Sequence, residues 1–258
     1  MKWFFVQLGV AVLSVVSFSP CFANSEKTVH GIEYAGANWF VTVGAGAEFP
    51  LANGNMYVNN GSFFPPPYDT DIYSTNQSTS ALVNLSAGRR WERQSNWFPA
   101  FSLGLFYQHS FLDNVAGTIT QYSLPQFTNY TYNWNLSSDI LLASAKVNLY
   151  AQNRFSPYVT VGLGGAFNHS NYNETALPGV TPRTSPGFSG TSNQFAYNAG
   201  AGLDFRASNH LIVTLGYLYQ NLGDISGQGN ATWSGNSLRL GSYGLNEVLA
   251  GVTYLFDK

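Results

Sequence analysis

Alternation is the feature that most restricts what this chain can become. Eight times along its 258 residues, stretches of about ten carry apolar side chains on every second position, with small or polar residues between. The last stretch sets Val248, Ala250, Val252, Tyr254 and Phe256 against Glu247, Gly251 and Thr253. A period of two sends successive side chains to opposite faces of a strand. One face is then apolar and aromatic, and the other is small, polar or charged. That division suits a strand with lipid on one side and a wet, crowded lumen on the other.

Composition narrows the class further. Charged residues are 9% of the chain, hydrophobic residues 45% and aromatics 16%, whereas a soluble domain carries ~25% charge. Beyond the N-terminus no segment reaches the ~18 consecutive apolar residues of a spanning helix. The formal net charge of -2 offers no electrostatic footprint for nucleic acid. Met1 and Lys2 precede an apolar run from Trp3 to Phe18, and Cys21-Phe22-Ala23 then puts small residues where a signal peptidase reads. Residues 1–23 are expected to be a cleaved signal peptide, and residues 24–37 a short periplasmic leader. Phe18-Ser19-Pro20 is wrong for lipid attachment at Cys21. Cleavage after Ala23 leaves no cysteine, which excludes disulfides and a cysteine-based metal site.

The alternating stretches lie near residues 38–49, 79–91, 98–111, 134–149, 158–167, 195–206, 211–220 and 243–256. Connections of 92–97, 150–156 and 207–210 alternate with long ones of 50–78, 112–133, 168–194 and 221–242. Strict alternation of short and long is the turn-and-loop asymmetry of transmembrane barrels. The expected fold is all-β: an eight-stranded antiparallel up-and-down barrel over residues 38–258, with short periplasmic turns and four long extracellular loops. Trp39, Trp91, Phe98, Phe205, Tyr254 and Phe256 fall at the short-turn ends of their strands. Phe49, Tyr107, Phe111, Phe167, Phe195 and Tyr217 fall at the other ends. Two girdles result, as amphipathic rings prefer the two interfaces. A soluble barrel or sandwich explains the alternation but neither girdle.

Residues 156–165, Ser-Pro-Tyr-Val-Thr-Val-Gly-Leu-Gly-Gly, and residues 195–204, Phe-Ala-Tyr-Asn-Ala-Gly-Ala-Gly-Leu-Asp, carry a family resemblance. With residues 215–219 and the terminal Tyr254-Leu255-Phe256, the chain resembles the small outer-membrane β-barrels, the opacity-type surface antigens and outer-membrane protein A-like barrels. The resemblance spans essentially the whole mature chain and implies fold and assembly. It implies Tyr254 and Phe256 as the assembly signal for the barrel-assembly machinery, although Asp257 and Lys258 follow where family members commonly stop. No peptidoglycan-binding domain is expected after residue 258.

Chemistry-bearing residues are few. The inward positions place Glu48, Arg90, Lys146, Asp204, Arg206 and Glu247 in the lumen. Unpaired buried charge is too costly to keep, so these are expected to pair, either as a plug or as an ion-selective constriction. His109-Ser110 and His169-Ser170 superficially match a lipid-deacylating pair, but neighbours on a strand face opposite ways. Glu174 is the acid that would come near His169. His30 and His210 fall in the leader and a short turn. No metal, cofactor or catalytic set is expected.

In the long loops, Phe63-Phe64-Pro65-Pro66-Pro67-Tyr68 is stiff and apolar, residues 177–188 hold three prolines and Arg183, and Asp69, Asp71, Asp113 and Asp224 make the outer end acidic. The expected role is structural or surface-interacting, adhesin- or antigen-like, and not enzymatic. A small-solute or ion channel is the alternative, and a lipid-modifying enzyme a remote one. Expected partners are outer-membrane lipid, lipopolysaccharide, the assembly machinery and a host or cell-surface ligand at the loops, with no nucleic acid. Intact-mass measurement of the exported protein should give a chain beginning at Asn24; retention of residues 1–23, or a lipid on Cys21, contradicts this reading.

Overall fold

Each alternating stretch forms a strand, and the eight long strands close into one ring. In the computed structural model they are β1 (Gly36–Pro50), β5 (Ser80–Glu92), β6 (Trp97–Thr120), β7 (Thr128–Tyr150), β8 (Phe155–Ala176), β9 (Gly187–Arg206), β10 (Leu211–Ser226) and β11 (Arg239–Leu255). Short strands β2 (Met56–Asn59), β3 (Thr70–Tyr73) and β4 (Asn76–Gln77) lie within the first long connection. Neighbours in the ring pair antiparallel, and β11 returns to β1 in unbroken register from Phe40–Leu255 to Pro50–Leu245. The ring is an eight-stranded barrel with no free edge.

The structure describes residues 36–51, 54–184, 187–227 and 233–256, with the backbone alone at 112 and 113. The expected signal peptide, with Cys21, and His30, Asp257 and Lys258 lie outside these residues. The first strand begins at Gly36, two residues inside the expected leader, because Gly36 and Ala37 pair with Glu92 and Trp91 of β5.

The facing follows the alternation. Trp39, Val43, Val83, Leu105, Leu141, Val161, Leu215 and Val252 are exposed on the outside. Glu48, Arg90, Gln108, Asn148, Asp204, Gln220 and Glu247 are buried inside. Aromatic contacts gather at both rims of the outer face. Trp91 stacks on Phe101 and Phe155 meets Phe205 at the short-turn end, while Phe195, Tyr197 and Tyr219 adjoin at the other. At the short-turn rim the Arg89 guanidinium lies 5.2 Å from the Trp39 ring centroid.

The long connections differ from expectation. Three of them continue as paired strand well past the expected ends: β6 and β7 stay paired to Thr120–Thr128, β8 and β9 to Asn173–Gly187, and β10 and β11 to Ser226–Arg239. The physical reason is an inversion of polarity. Above the apolar band the outer face carries Thr131, Asn133 and Asn135, and the inner face carries Tyr130, Tyr132, Trp134 and Leu136. On β6 a register shift between Ser110 and Asp113 also changes which positions face inward, from Gln108 and Ser110 to Val115 and Ile119. A pattern anchored on outward apolar residues stops where water replaces lipid.

The facing can be tested in lipid. Val161→Arg and Val213→Arg put a cation on the lipid face, at a cost of ~2–4 kcal/mol near mid-membrane. Thr160→Asn, on the lumen face beside Lys146, should cost much less. Folding titrations into vesicles should rank them in that order.

Candidate functional site

The lumen is filled in layers, starting at the short-turn end. Arg90 donates through Nε to Glu92 Oε1 at 2.8 Å, and Arg206 donates through Nη1 to the same oxygen at 2.6 Å. Arg90 Nη1 also reaches Asn148 Oδ1 at 3.0 Å and Ser102 Oγ at 3.3 Å. Asn148 Nδ2 passes the chain on to Asp204 Oδ2 at 2.9 Å. Lys146 Nζ and Thr214 Oγ1 both donate to Asp204 Oδ1 at 2.7 Å. Four of the six charges read from the sequence, Arg90, Lys146, Asp204 and Arg206, therefore join one network.

Glu92 is the member that sequence reasoning missed. It ends β5, and the sequence reading assigned it to a turn. Two arginines on one carboxylate leave three cations against two anions, Glu92 and Asp204, in this layer. The shared carboxylate is what makes two buried guanidiniums tolerable.

Just above, Lys146 Nζ also sits 3.9 Å from the centroid of the Tyr158 ring. That ring lies where Gly202 and Gly216 leave space; a Cβ on Gly202 would stand 2.6 Å from the tyrosine oxygen. A cavity of about 120 Å³ follows, lined by Thr42, Asn84, Lys146, Thr160, Asn198 and Thr214 among others. Its size admits several waters.

The other two charges behave differently from expectation. Glu48 and Glu247 are Cα partners on β1 and β11, both wholly buried, and neither forms an ion pair among the described residues. The expected pairing of opposite charges fails here because the seam register places two acids side by side. Gln108 on β6 reaches across the lumen and donates to Glu247 Oε1 at 2.8 Å.

Above the apolar band the interior becomes an aromatic core. Tyr172 stacks on Phe188 at 4.9 Å and meets Trp134 and Trp233 edge-on at 5.8 and 5.7 Å. Trp233 Nε1 donates to Tyr73 Oη at 2.7 Å. The hydroxyls of Tyr172 and Tyr73 donate to Glu174 Oε1 at 2.6 and 3.3 Å. Arg183 then donates to Glu174 Oε2 at 3.1 Å and to Asp71 Oδ2 at 2.8 Å. Burial pushes the Glu174 carboxyl above the usual carboxylate range, opposed by Arg183, and Glu174 holds the guanidinium protonated. Asp71, expected at an acidic surface, is instead buried, with Asn60 Nδ2 and the Tyr122 amide donating to it. Phe63 and Phe64 are exposed.

The histidine sites also resolve. His109 and His169 flank Asp139 on the outer face, with Nδ1–Oδ1 at 2.9 Å and Nε2–Oδ2 at 3.4 Å. Tyr107 donates to the same carboxylate at 2.7 Å. Ser110 and Ser170 face inward, away from the adjacent histidines, and Glu174 faces inward too, engaged with Arg183 rather than His169. Tyr254 and Phe256 are outward, in edge contact at 5.0 Å, and the Phe256 amide extends the seam by donating to Trp39 O at 2.9 Å.

Removing one member of the lower network strands its partner, at ~3–5 kcal/mol. Lys146→Met and Glu92→Gln should therefore destabilise the barrel by that order in urea unfolding from vesicles. Outward Leu141→Met should be nearly neutral.

Residues 54–256 match the family model described as the outer membrane protein beta-barrel domain. Among solved structures, Neisserial surface protein A aligns at 15% identity and TM-score 0.45, covering 86% of this chain and 99% of its own. OprG of Pseudomonas aeruginosa aligns at 11% and 0.46, covering 87% and 98%. The outer membrane protease OmpT of Escherichia coli aligns at 12% and 0.46, covering 85% and 96%. No curated protein matches the sequence. With the model spanning most of a closed, girdled barrel, the chain belongs to the outer-membrane β-barrel family, in the outer membrane.

Proposed function

We propose that this barrel serves a structural or surface-interaction role and does not conduct solutes. The observation that carries the reading is the aromatic core of Trp134, Tyr172, Phe188 and Trp233, tied by Tyr73, Glu174, Arg183 and Asp71. It fills the lumen's extracellular continuation and holds the surrounding strands and connections as a fixed surface. Eight strands leave an interior about filled by side chains. The salt-bridged layer at the periplasmic end acts as a second plug.

In this reading a signal peptide cleaved after Ala23 exports the chain. The assembly machinery engages the Tyr254–Phe256 end, and lipopolysaccharide meets the outer stripe. A host or cell-surface ligand would meet the exposed Phe63 and Phe64 and the loop tips. The channel reading has one observation in its favour, the polar cavity of about 120 Å³ between the plugs. Refolded protein in planar bilayers should show no stable conductance; a large, persistent one favours the channel.

The cap has a pH signature. Arg183→Met strands Glu174 in a buried site, raising its folded-state pKa further above the unfolded ~4.3. A raised carboxyl keeps its stability below the unfolded pKa and loses it as pH rises through the folded value. The variant's defect, up to ~3–5 kcal/mol, should therefore grow from acid to neutral pH. Protease nicking of the extracellular connections, followed against pH, checks this.

A further inference from the structure

We propose that the lumen holds a hard, oxygen-ligated cation of the calcium class between Glu48 and Glu247. The two carboxylates are adjacent on the seam strands and have no solvent exposure. No donor meets hydrogen-bond geometry at either Glu48 oxygen or at Glu247 Oε2, although the Ser80 and Ser110 hydroxyls stand near Glu48. Gln108 is a second, independent sign. It is equally buried, its amide touches Glu247, and its own Oε1 also has no donor. Gln220 Oε1, at an inward position on β10, is likewise without a donor, while the unpartnered Asn198 Oδ1 beside it on β9 points toward Gly162 and the cavity.

Every one of these orphan atoms is an acceptor oxygen. Two nearby amide nitrogens are already committed. Gln108 Nε2 donates to Glu247, and Gln220 Nε2 donates to the carbonyls of Tyr197 and Asn221. The lumen's cations are committed as well. Lys146 is held by Asp204, and Arg90 and Arg206 converge on Glu92. Phe106 and Leu249 face inward one step nearer that network.

Two adjacent carboxylates in a water-poor interior cannot both stay ionised without a countercharge. Each buried acceptor left unpaired also costs stability. A shared proton cancels one charge and supplies one donor. A cation answers both charges and engages several oxygens at once. A donor set of oxygens alone selects a hard ion, and a set contributed by several strands suits calcium's flexible six to eight ligands better than magnesium's strict octahedron. The nearest histidine by sequence, His109, faces outward to Asp139, so zinc or copper finds no nitrogen there. The inference is independent of the surface role, because the site is inside the barrel and apart from the cap. Shielded on all sides, the ion enters as the barrel closes and leaves slowly.

The test is refolding of the full chain into lipopolysaccharide-free detergent, with calcium or with chelator, followed by desalting and elemental analysis. Wild type refolded with calcium should retain it stoichiometrically and melt about 4 °C or more above the chelator-refolded form. Glu48→Gln/Glu247→Gln should retain none and show no such shift, while Asp69→Asn/Asp224→Asn, on the exposed connections, should behave as wild type. If the double variant fails to fold, Glu247→Gln alone, which keeps an amide partner for Gln108, should lose the retained calcium. Absence of retained calcium in wild type overturns the proposal and leaves the shared proton. Equal retention in the glutamine variants overturns it too, by placing the ion elsewhere.

Discussion

Inside a hydrocarbon layer a peptide group has no water to turn to, and each N–H or C=O left unpaired costs several kcal/mol. For strands, the only arrangement that satisfies every such group is a closed ring. The seam between β1 and β11 is therefore the contact on which the other features depend. It brings the two ends of the barrel sequence together, and its register fixes which residues of the first and last strands share a level. Thr42 and Thr253 share a hydrogen bond of 2.7 Å across it. The same register sets Glu48 against Glu247. A slip of one residue would turn one of the two acids toward lipid.

Closure with eight strands makes the interior scarce space. Large side chains enter only where glycine yields, as under the Tyr158 ring, and charges enter only with partners. The result is a graded column. Near the periplasm it is ionic, in the middle polar and partly hollow, then acidic, then aromatic. The gradient follows the surroundings of the wall. Where the wall is bathed in lipid its inner face can be polar. Where it stands in water the apolar residues move inside, as in a soluble β-fold.

Much of this was legible in the sequence, for one reason: lipid-facing alternation is long and regular. Strand number, facing, girdles and four members of the lower network all follow from it. What was not legible lies where that signal fails. Glu92 sits on the last residue of β5, where strand and turn look alike. Asp139 could have been found, because it continues the outward parity of Leu141 and Ala143. Asp71, Glu174 and Arg183 are far apart in sequence, and only the folded connections unite them. The strand extensions were hidden by the inversion of polarity and by the shift on β6.

The strands are unequal in height. β6, β7 and β8 run 24, 23 and 22 residues, against 15 and 13 for β1 and β5. At ~3.3 Å per residue the tallest extends roughly 80 Å along its path, about twice what an apolar band of ~25 Å requires at the usual tilt. The rim is thus a palisade with one low side. There β3 and β4 pair with the outer end of β6, and Tyr73 of β3 turns into the aromatic core. This splits the outer surface into two kinds of ground. The tip at Phe63 stands fully exposed and carries little, whereas residues 177–182 lean on the barrel, Val180 packing on the aromatic core and Thr181 O accepting from the Tyr130 hydroxyl at 2.9 Å. The hairpin beneath is masonry, and a lineage that shortened it would open its own core to water.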